Sequence, residues 1–568
     1  MSETSFHLAT RDLGPLPLIN HTLDRLAIGR FLSEALSPAG NGALSHAQAL
    51  GALLRNILDG RRPIYGVGEW AAPFAPDLLG LSLEQSALLR DDRVGRALEA
   101  LFDADRASLL TRVVLWAVKE FRLDLSQLHD DATTISFTGS YDDADGGYHR
   151  GKPTVALRRS LASKDHRPDL KQIFWFLDIT TDGAVPIHYR VMDGNVSEST
   201  THRETWTQLR RLVGKADFLY VADSKLCSEP TMSFIHGEGG RFLTVVPETR
   251  NEPGEFRGWL QSHTPMWMEV PEGFGKGQRG MAELKGSWRT TEAPTPSREG
   301  FRIVWVWSAA KEVRDQEARR GIIARSRRRL EELEKRLQSS RCRIHTSEGA
   351  VTAAEGARGE EARRWVDYEL RTEELPRFHQ EGRGRPGKNT KYRREDRYRF
   401  HVDARVNEEA VAQDARSDGM FPLMTNEKGA SGAELLARYK FQPRLERRHE
   451  ELKTVYRVAP IFLKSVTRIE GLLFVYFLAM LTEGLMEREL RTGMAKEKVE
   501  ALPLYPEERD CRAPTMRRVL EVFGRMQRHE LWQGEKRAQV FLTEMTGLQK
   551  QILSLMGVPE EVYQRYQQ

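Results

Sequence analysis

Three carboxylates of this sequence stand where an α/β fold could bring them together. Asp131 lies inside a predicted strand, Asp223 ends another, and Glu446 lies on a predicted helix further along the chain. Close carboxylates repel one another unless cations lie between them, and oxygen ligands suit Mg²⁺ or Mn²⁺. Two such ions roughly 3.5–4 Å apart can activate a nucleophile and stabilise the leaving oxygen of a phosphodiester. These residues form a candidate catalytic and metal-binding set, with Asp130 as a rival of Asp131. For any single one of them, a solvated surface acid is the alternative.

Basic residues cluster at residues 383–399, where a nucleic acid would need them. The stretch holds eight Lys or Arg residues against two acidic ones, so its local net charge of +6 exceeds the +5 of the whole chain. Aromatic residues interleaved with these cations suit phosphate contacts combined with base stacking. We therefore take Arg393, Arg394 and Arg397 as DNA-binding candidates, with a solvated loop as the alternative.

A second group of polar residues surrounds Glu446. Tyr439, Glu446 and Lys453 are spaced seven residues apart, about two helical turns each, so on one continuous helix they would share one stripe. Gln442 and Arg444 lie between them. We expect this face of the helix to approach the carboxylates and their substrate.

The elements that must position these residues follow a repeating pattern. After the strand that carries Asp131, the hydrophobic pattern predicts strands at 172–180, 186–192, 216–224 and 241–246, with a helix at 201–213 between the second and third of these. Three consecutive strands followed by alternating helix and strand indicate a mixed sheet flanked by helices. In such a sheet the first and fourth strands can be neighbours, which would bring Asp131 and Asp223 together.

Pattern and composition divide the 568 residues into five regions. They are a helical N-terminal region (1–120), the first part of an α/β core (121–246), an insertion with β strands, a charged helix and a basic loop (247–411), the second part of the core with the Glu446 helix (412–490), and a helical C-terminal region (491–568). The N-terminal region fits either DNA-end binding or dimerisation.

Composition excludes several classes of protein. With 40% hydrophobic and 29% charged residues the chain can bury real cores, so it is not wholly disordered. Its three cysteines lie far apart in sequence, which argues against a disulfide scaffold and a cysteine zinc site and fits a reducing cytoplasm. The longest apolar run, Leu472–Leu481, is too short to span a bilayer and predicts a buried core helix. We therefore expect no membrane partner.

Taken in order, these segments resemble a DDE transposase of bacterial insertion sequences, in the IS-four group marked by a Tyr-Arg-Glu-Lys signature. In that signature two residues separate Tyr from Arg, three separate Arg from Glu, and six separate Glu from Lys. Tyr439, Gln442, Glu446 and Lys453 occupy those positions, so three of the four match. Gln442 stands in the arginine position, and nearby Arg444 is a candidate replacement.

The resemblance covers residues 12 to about 490. Asp131 stands in the Asp-x-Thr context of the family, and Asp223 follows an apolar strand as the second family aspartate does. The N-terminal block resembles an uncharacterised helical domain that precedes the catalytic core in one branch of the group. The fold implied is α/β: a ribonuclease H-like core with a largely β insertion, flanked by helical N- and C-terminal regions.

The resemblance implies metal-dependent cleavage and strand transfer at the ends of an insertion sequence. Asp131, Asp223 and Glu446 would hold two Mg²⁺ (or Mn²⁺) ions, and Tyr439 and Lys453 would contact the phosphate near the transferred end. The implied partners are double-stranded DNA with terminal inverted repeats, target DNA and a second copy of the chain, in the bacterial cytoplasm and associated with the nucleoid. A ribonuclease H-like nuclease or resolvase, and a catalytically silent transposase-derived DNA-binding protein, are the alternatives.

Overall fold

The structure, a computed structural model, describes residues 6–37, 44–159, 169–196, 201–278, 280–456 and 463–567. The first region contains one strand and seven helices: β1 (Phe6–Asp12), α1 (Leu16–Arg25), α2 (Ile28–Ala35), α3 (His46–Leu58), α4 (Val67–Ala71), α5 (Leu83–Ala87), α6 (Asp91–Asp103) and α7 (Arg106–Phe121). Local sequence explains where two of these helices begin. Ser45 with Gln48, and Ser82 with Gln85, form capping boxes in which side chains satisfy the free N–H groups of the first turn.

A central mixed sheet follows. The chain first forms β2 (Gln127–Phe137) of this sheet, and then a short hairpin of β3 (Tyr148–His149) and β4 (Lys152–Pro153) that lies outside the sheet. Next come β5 (Lys171–Thr180), β6 (Pro186–Asp193), α8 (His202–Val213), β7 (Leu219–Val221), α9 (Glu229–Gly237) and β8 (Arg241–Val245), whose four strands belong to the sheet. β2 pairs antiparallel with β5 and parallel with β7, and β7 pairs parallel with β8. The expectation that the first and fourth strands are neighbours is therefore confirmed.

Residues 247–411 contribute to two separate layers. They form α10 (Asn251–Leu260), β9 (Met268–Val270), β10 (Trp288–Glu292), β11 (Arg302–Ser308), α11 (Ala309–Leu337), α12 (Ser347–Arg358), β12 (Val366–Glu374), β13 (Arg377–Gln380), β14 (Tyr392–Glu395), β15 (Tyr398–Val406) and α13 (Glu408–Ala415). Next comes β16 (Met420–Thr425), and the nine-stranded sheet has the order β6-β5-β2-β7-β8-β16-β11-β10-β9. Part of the predicted insertion thus extends the central sheet. By contrast, α11, α12, β12 and β15 enclose an apolar cluster of their own.

The remaining chain is α14 (Gly432–Tyr439), α15 (Pro443–Glu450), a π-helical turn (Glu451–Val455), α16 (Val466–Lys496), α17 (Met516–Val522), β17 (Gln527–Gln533), β18 (Lys536–Leu542), α18 (Gly547–Leu555) and α19 (Glu561–Gln564). α14 packs on β8, β10 and β11, and α15 packs on β2 and β5. Within the described ranges, α16 is the one helix that length and composition would allow to cross a membrane, and its apolar part is entirely buried in the protein.

The prediction of a wholly helical region at 491–568 is wrong. β17 and β18 form a hairpin that turns at Gly534, where φ is +62°, and β1 adds a third strand to it. A positive φ costs glycine little, so it permits the tight turn. β1 also departs from the helical pattern predicted for 1–120. Its pairing joins Phe6 to Gln533, and no local pattern reports a contact between the two ends of a chain.

Candidate active site

The pairing of β2 with β7 places two aspartates side by side. His129 stands opposite Val221 in the parallel register. Asp131 and Asp223 each follow these residues by two positions, and strand side chains alternate between faces, so both carboxylates leave the same face, Asp131 from within β2 and Asp223 just past the end of β7. The Asp223 carboxylate also accepts a hydrogen bond from the backbone N–H of Lys225 at 2.9 Å, which fixes the short turn after the strand.

A helix break separates Tyr439 from Glu446. α14 ends at Tyr439 and α15 begins at Pro443, so the expectation of one continuous helix with a single stripe is wrong. Proline lacks a backbone N–H and therefore starts a helix more readily than it continues one. The Tyr439 hydroxyl nevertheless faces the carboxylates: burial and the charges of Asp223, Glu446 and Asp131 raise its pKa. The three acids are thus within electrostatic range of one half-buried phenol.

His449 joins this group of side chains. Its Nε2 lies 3.9 Å from Oδ2 of Asp131, and the ring is buried. Nothing in the sequence pattern singled it out, although its spacing offered a signal. Glu446 and His449 are three residues apart on one helix, and residues at that spacing are surface neighbours. Lys453 lies further along, on the half-buried π-helical turn.

Asp130 points away from this site. Its Oδ2 accepts a hydrogen bond from the Tyr220 hydroxyl at 3.0 Å and lies 3.2 Å from Nδ1 of His202. Across the strand pair its partner is Asp178, and burial together with the neighbouring Asp130 charge holds the pKa of Asp178 well above its usual range. Asp130 belongs to a buried network on the other face of the sheet, so the geometry favours Asp131 as the site residue.

Gln442 is a correction to the predicted DNA-binding set. Its side chain is buried, with the residue 6% exposed, and both ends of the amide contact the protein. Oε1 lies 2.8 Å from Nδ1 of His129, and Nε2 donates to the backbone carbonyl of Asp130 at 3.2 Å. Burial lowers the pKa of His129 to about 4, so its ring is neutral near pH 7. No polar atom of Gln442 is left for DNA.

Arg444, unlike Gln442, is accessible from solvent. It is exposed, and its guanidinium lies 4.7 Å from the centre of the Phe441 ring. No carboxylate pairs with it in the described part of the chain, whereas neighbouring Arg447 pairs with Glu451 at 3.2 Å. Arg444 therefore offers a free cation on the same short helix as Glu446.

The basic residues of 383–399 lie on an exposed two-stranded arm. We define the arm as residues 366–406, in which β12 pairs with β15 and β13 with β14, and the arm tip as residues 381–391 between β13 and β14. Two cations at β14 have local partners: Arg394 on the strand bonds Asp396 at 2.5 Å, and Arg397, just after the strand, lies 3.4 Å from Glu395. The stretch predicted as a loop is thus partly β-structure.

The tip differs from the strands in its charge pairing. Its cations are exposed and have no ion pair within the described ranges, and Arg393 on β14 shares this property. The unpaired tip cations are Arg383, Arg385, Lys388 and Lys391. Cations without internal partners are the ones free to neutralise phosphates of a polyanion.

The chemistry of the three acids suits a divalent cation. Asp131, Asp223 and Glu446 present only oxygen donors, the type that Mg²⁺ and Mn²⁺ prefer. Over the ranges that the structure describes, no three His, Cys, Asp or Glu side chains are close enough to make a ready-formed metal site. The donor set therefore fits such an ion in kind.

Comparison with known proteins identifies one domain. Residues 8–115 match a family described as "Domain of unknown function (DUF4277)". No curated protein matches this chain.

Two solved structures show a weak likeness. The piggyBac transposase synaptic complex with hairpin DNA is 11% identical, with 51% of this chain and 60% of that chain covered and a TM-score of 0.26. The Mos1 mariner paired end complex with Mn is 13% identical, with 41% and 68% covered and a TM-score of 0.15. This chain thus spans 60% of the first of these proteins. Scores this low do not show a shared fold.

Proposed function

We propose that the chain is a DNA transposase that cleaves phosphodiester bonds at the ends of an insertion sequence and joins the freed 3′-hydroxyl to target DNA. The observation that carries this proposal is that the charges of Asp223, Glu446 and Asp131 all act on the Tyr439 hydroxyl and, with its burial, raise its pKa. Asp131 lies on β2, Asp223 just after the neighbouring parallel strand β7, and Glu446 on α15, which packs on β2. The order β6-β5-β2-β7-β8 supports a ribonuclease H-like core for this site.

Each polar residue of the site then has a role. Asp131, Asp223 and Glu446 would hold two Mg²⁺ or Mn²⁺ ions, which when bound supply an activated nucleophile and stabilise the leaving oxygen. The raised pKa of Tyr439 keeps its hydroxyl protonated, so it donates a hydrogen bond to a phosphate oxygen beside the acids. Lys453 contacts the same phosphate, which balances charge that the carboxylates would otherwise repel.

The partners follow from the reaction. Duplex DNA with terminal inverted repeats binds first, target DNA binds second, and coordinated reaction at both ends requires at least two copies of the chain on DNA. Arg444 and the unpaired cations of the arm tip provide phosphate contacts outside the site. Such a reaction belongs in the bacterial cytoplasm, with the protein associated with the nucleoid.

The first prediction tests the acids one at a time. Asp131→Asn, Asp223→Asn and Glu446→Gln should each reduce Mg²⁺-dependent cleavage of a labelled terminal-repeat duplex to background. Binding of the same duplex should stay within a fewfold of wild type, because the phosphate contacts remain. Asp130→Asn is the matched control, since that carboxylate lies on the other face of the sheet.

Three outcomes separate the alternatives. Cleavage retained in all three site variants would end the proposal. Cleavage lost in Asp130→Asn, with folding intact by circular dichroism, and kept in Asp131→Asn would move the site to the other face. Cleaved ends that never join target DNA would favour a nuclease or resolvase.

A further inference from the structure

The amide of Gln442 lies at the junction between the Glu446 helix and the Asp131 strand. On one side it donates from Nε2 to the carbonyl oxygen of Asp130, the residue next to Asp131. On the other side its Oε1 meets Nδ1 of His129 at 2.8 Å. Gln442 immediately precedes α15, one helical turn before Glu446. Both hydrogen bonds therefore connect the start of that helix to β2.

Each side-chain hydrogen-bond donor in this junction faces an acceptor. Since Nε2 of Gln442 donates to a carbonyl, its Oε1 must accept from the Nδ1–H of His129. The other ring nitrogen of His129, Nε2, then accepts from Nε2 of Gln127 at 3.0 Å. That same amide nitrogen of Gln127 donates to the carbonyl of Gly280 at 3.0 Å. Every polar atom of the buried pair His129 and Gln442 has a partner of the right type.

The pairing also explains why a glutamine suits this position. Arginine, which the signature has here, carries five N–H donors and no acceptor. It could reach the Asp130 carbonyl but would leave the Nδ1–H of His129 facing another donor. A buried donor without an acceptor costs roughly 1–3 kcal/mol. Gln442 and His129 therefore form a matched pair that this chain uses in place of an exposed arginine.

We propose that Gln442 is a positioning residue: it fixes Glu446 relative to Asp131 and thereby sets the affinity of the site for a divalent cation. This inference rests on the proposed function, because it assumes that both acids are metal ligands. Residues that orient metal ligands typically change metal affinity by about 10–100-fold when they are replaced. Gln442 does so from inside the protein, with no contact to DNA.

The test compares two variants of Gln442 with a control on the same helix. Gln442→Met keeps the length of the side chain and removes both hydrogen bonds. Gln442→Arg restores the signature residue. Glu450→Gln changes an exposed acid of α15, one turn beyond Glu446, and leaves both hydrogen bonds of Gln442 in place. Mn²⁺ binding to the protein alone is measured by paramagnetic resonance titration, and the affinity for terminal-repeat DNA without metal is measured in parallel.

We expect both Gln442 variants to weaken Mn²⁺ binding about 10–100-fold, with DNA affinity and its salt dependence unchanged. Glu450→Gln should bind Mn²⁺ as wild type does. If Gln442→Met does not fold, Gln442→Glu serves instead: it keeps the acceptor for His129 and replaces the donor to Asp130 by a carboxylate oxygen that faces the Asp130 carbonyl.

Unchanged Mn²⁺ affinity in the Gln442 variants would overturn the inference. So would tighter and more salt-sensitive DNA binding by Gln442→Arg, because position 442 would then contact phosphate. A different result would contradict the proposed function alone. If the wild-type chain binds Mn²⁺ in an Asp131-dependent manner but cleaves no DNA, the proposed function is wrong and the positioning role of Gln442 still holds. A wild-type chain that binds no Mn²⁺ contradicts both.

Discussion

Glu483 shows how a single buried acid can make the stability of this protein depend on pH. It lies on α16 and accepts a hydrogen bond from the hydroxyl of Tyr456, next to the turn that follows α15. Arg448 bonds Glu487 at 2.9 Å and Glu451 at 2.7 Å in the same cluster. Burial and the charges of Glu487 and Glu451 raise the pKa of Glu483 to about 7. Near neutral pH, one proton is thus held inside the fold.

This raised pKa predicts that stability falls as the pH rises. An unfolded glutamate titrates near ~4.3. From there up to about pH 7 the folded state holds a proton that the unfolded state has lost. The free energy of unfolding therefore declines with rising pH, by at most ~1.4 kcal/mol per pH unit. Above pH 7 both states have lost the proton, so the decline ends there. Glu483→Gln keeps an acceptor for Tyr456 and cannot titrate. Urea unfolding of wild type and variant between pH 5 and pH 8 should show a flatter curve for the variant.

The exposed Glu450 provides the control for this measurement. Glu450→Gln removes an acid from the surface of α15, so its unfolding curve should keep the wild-type slope. Parallel slopes for wild type and Glu483→Gln would show that Glu483 titrates alike in the folded and unfolded states.

Among the elements, the arm makes the most specific prediction about DNA. Each phosphate that the protein neutralises contributes about −0.9 to the slope of log affinity against log salt. Four cations of the tip are replaced by Gln in the test variant: Arg383, Arg385, Lys388 and Lys391. If all four contact phosphate, the slope should flatten by roughly 3–4 units. Affinity should fall alike on any sequence, because phosphate contacts carry little base information.

The matched control takes its cations from the same arm, one from β14 and one from the turn between β14 and β15. Arg394 and Arg397 already have carboxylate partners, so replacing both by Gln should flatten the slope by less than replacing the tip cations does. Affinity is measured across a salt series for all three proteins. A larger change from replacing Arg394 and Arg397 than from replacing the tip cations would assign DNA contact to the region around β14. Equal slopes in all three proteins would show that the arm is only a solvated surface.

Local pattern predicted much of the core, since strand alternation, capping boxes and buried apolar runs are written in neighbouring residues. The pairing of β2 with β7 followed from element order and a handedness rule. Alternation also implied that Asp130 and Asp131 lie on opposite faces, but only the packing of α8 and α15 shows which face is which. The burial of Gln442 depends on His129, 313 residues away in sequence, and a short motif does not report such a contact.

At the scale of the whole molecule, α16 connects regions that lie far apart in sequence. Its residues pack against α3 and α6 of the N-terminal region, β6 of the sheet and α18 near the C-terminus. Ion pairs accompany these contacts: Glu489 bonds Arg25 at 2.6 Å, and Glu470 bonds Arg106 at 2.8 Å. The N-terminal helices and the central sheet therefore share one apolar core.

Two glycines of α16 mark the closest approaches. A Cβ added to Gly471 would lie 2.5 Å from the carbonyl oxygen of Leu98 on α6, and one added to Gly493 would lie 1.8 Å from that of Leu555 on α18. Both neighbours are backbone atoms, which a side-chain rotation cannot remove. The absence of a side chain at these two positions thus allows the N- and C-terminal helices to pack on α16.

The last prediction compares these glycines with one that has free space. Alanine in a helix is favoured over glycine by up to about 1 kcal/mol, whereas forcing atoms into a packed core costs roughly 1–3 kcal/mol. Gly471→Ala and Gly493→Ala should therefore lower the free energy of unfolding, with the larger loss at Gly493, where the overlap is more severe. Gly29→Ala on α2, where nothing lies within 4 Å of the added Cβ, should be neutral or stabilising. Urea unfolding of the three variants measures this directly. If alanine stabilises the protein at all three positions, α6 and α18 can move away from α16 at little cost in free energy. The N- and C-terminal helices would then pack on the core less tightly than their contacts indicate.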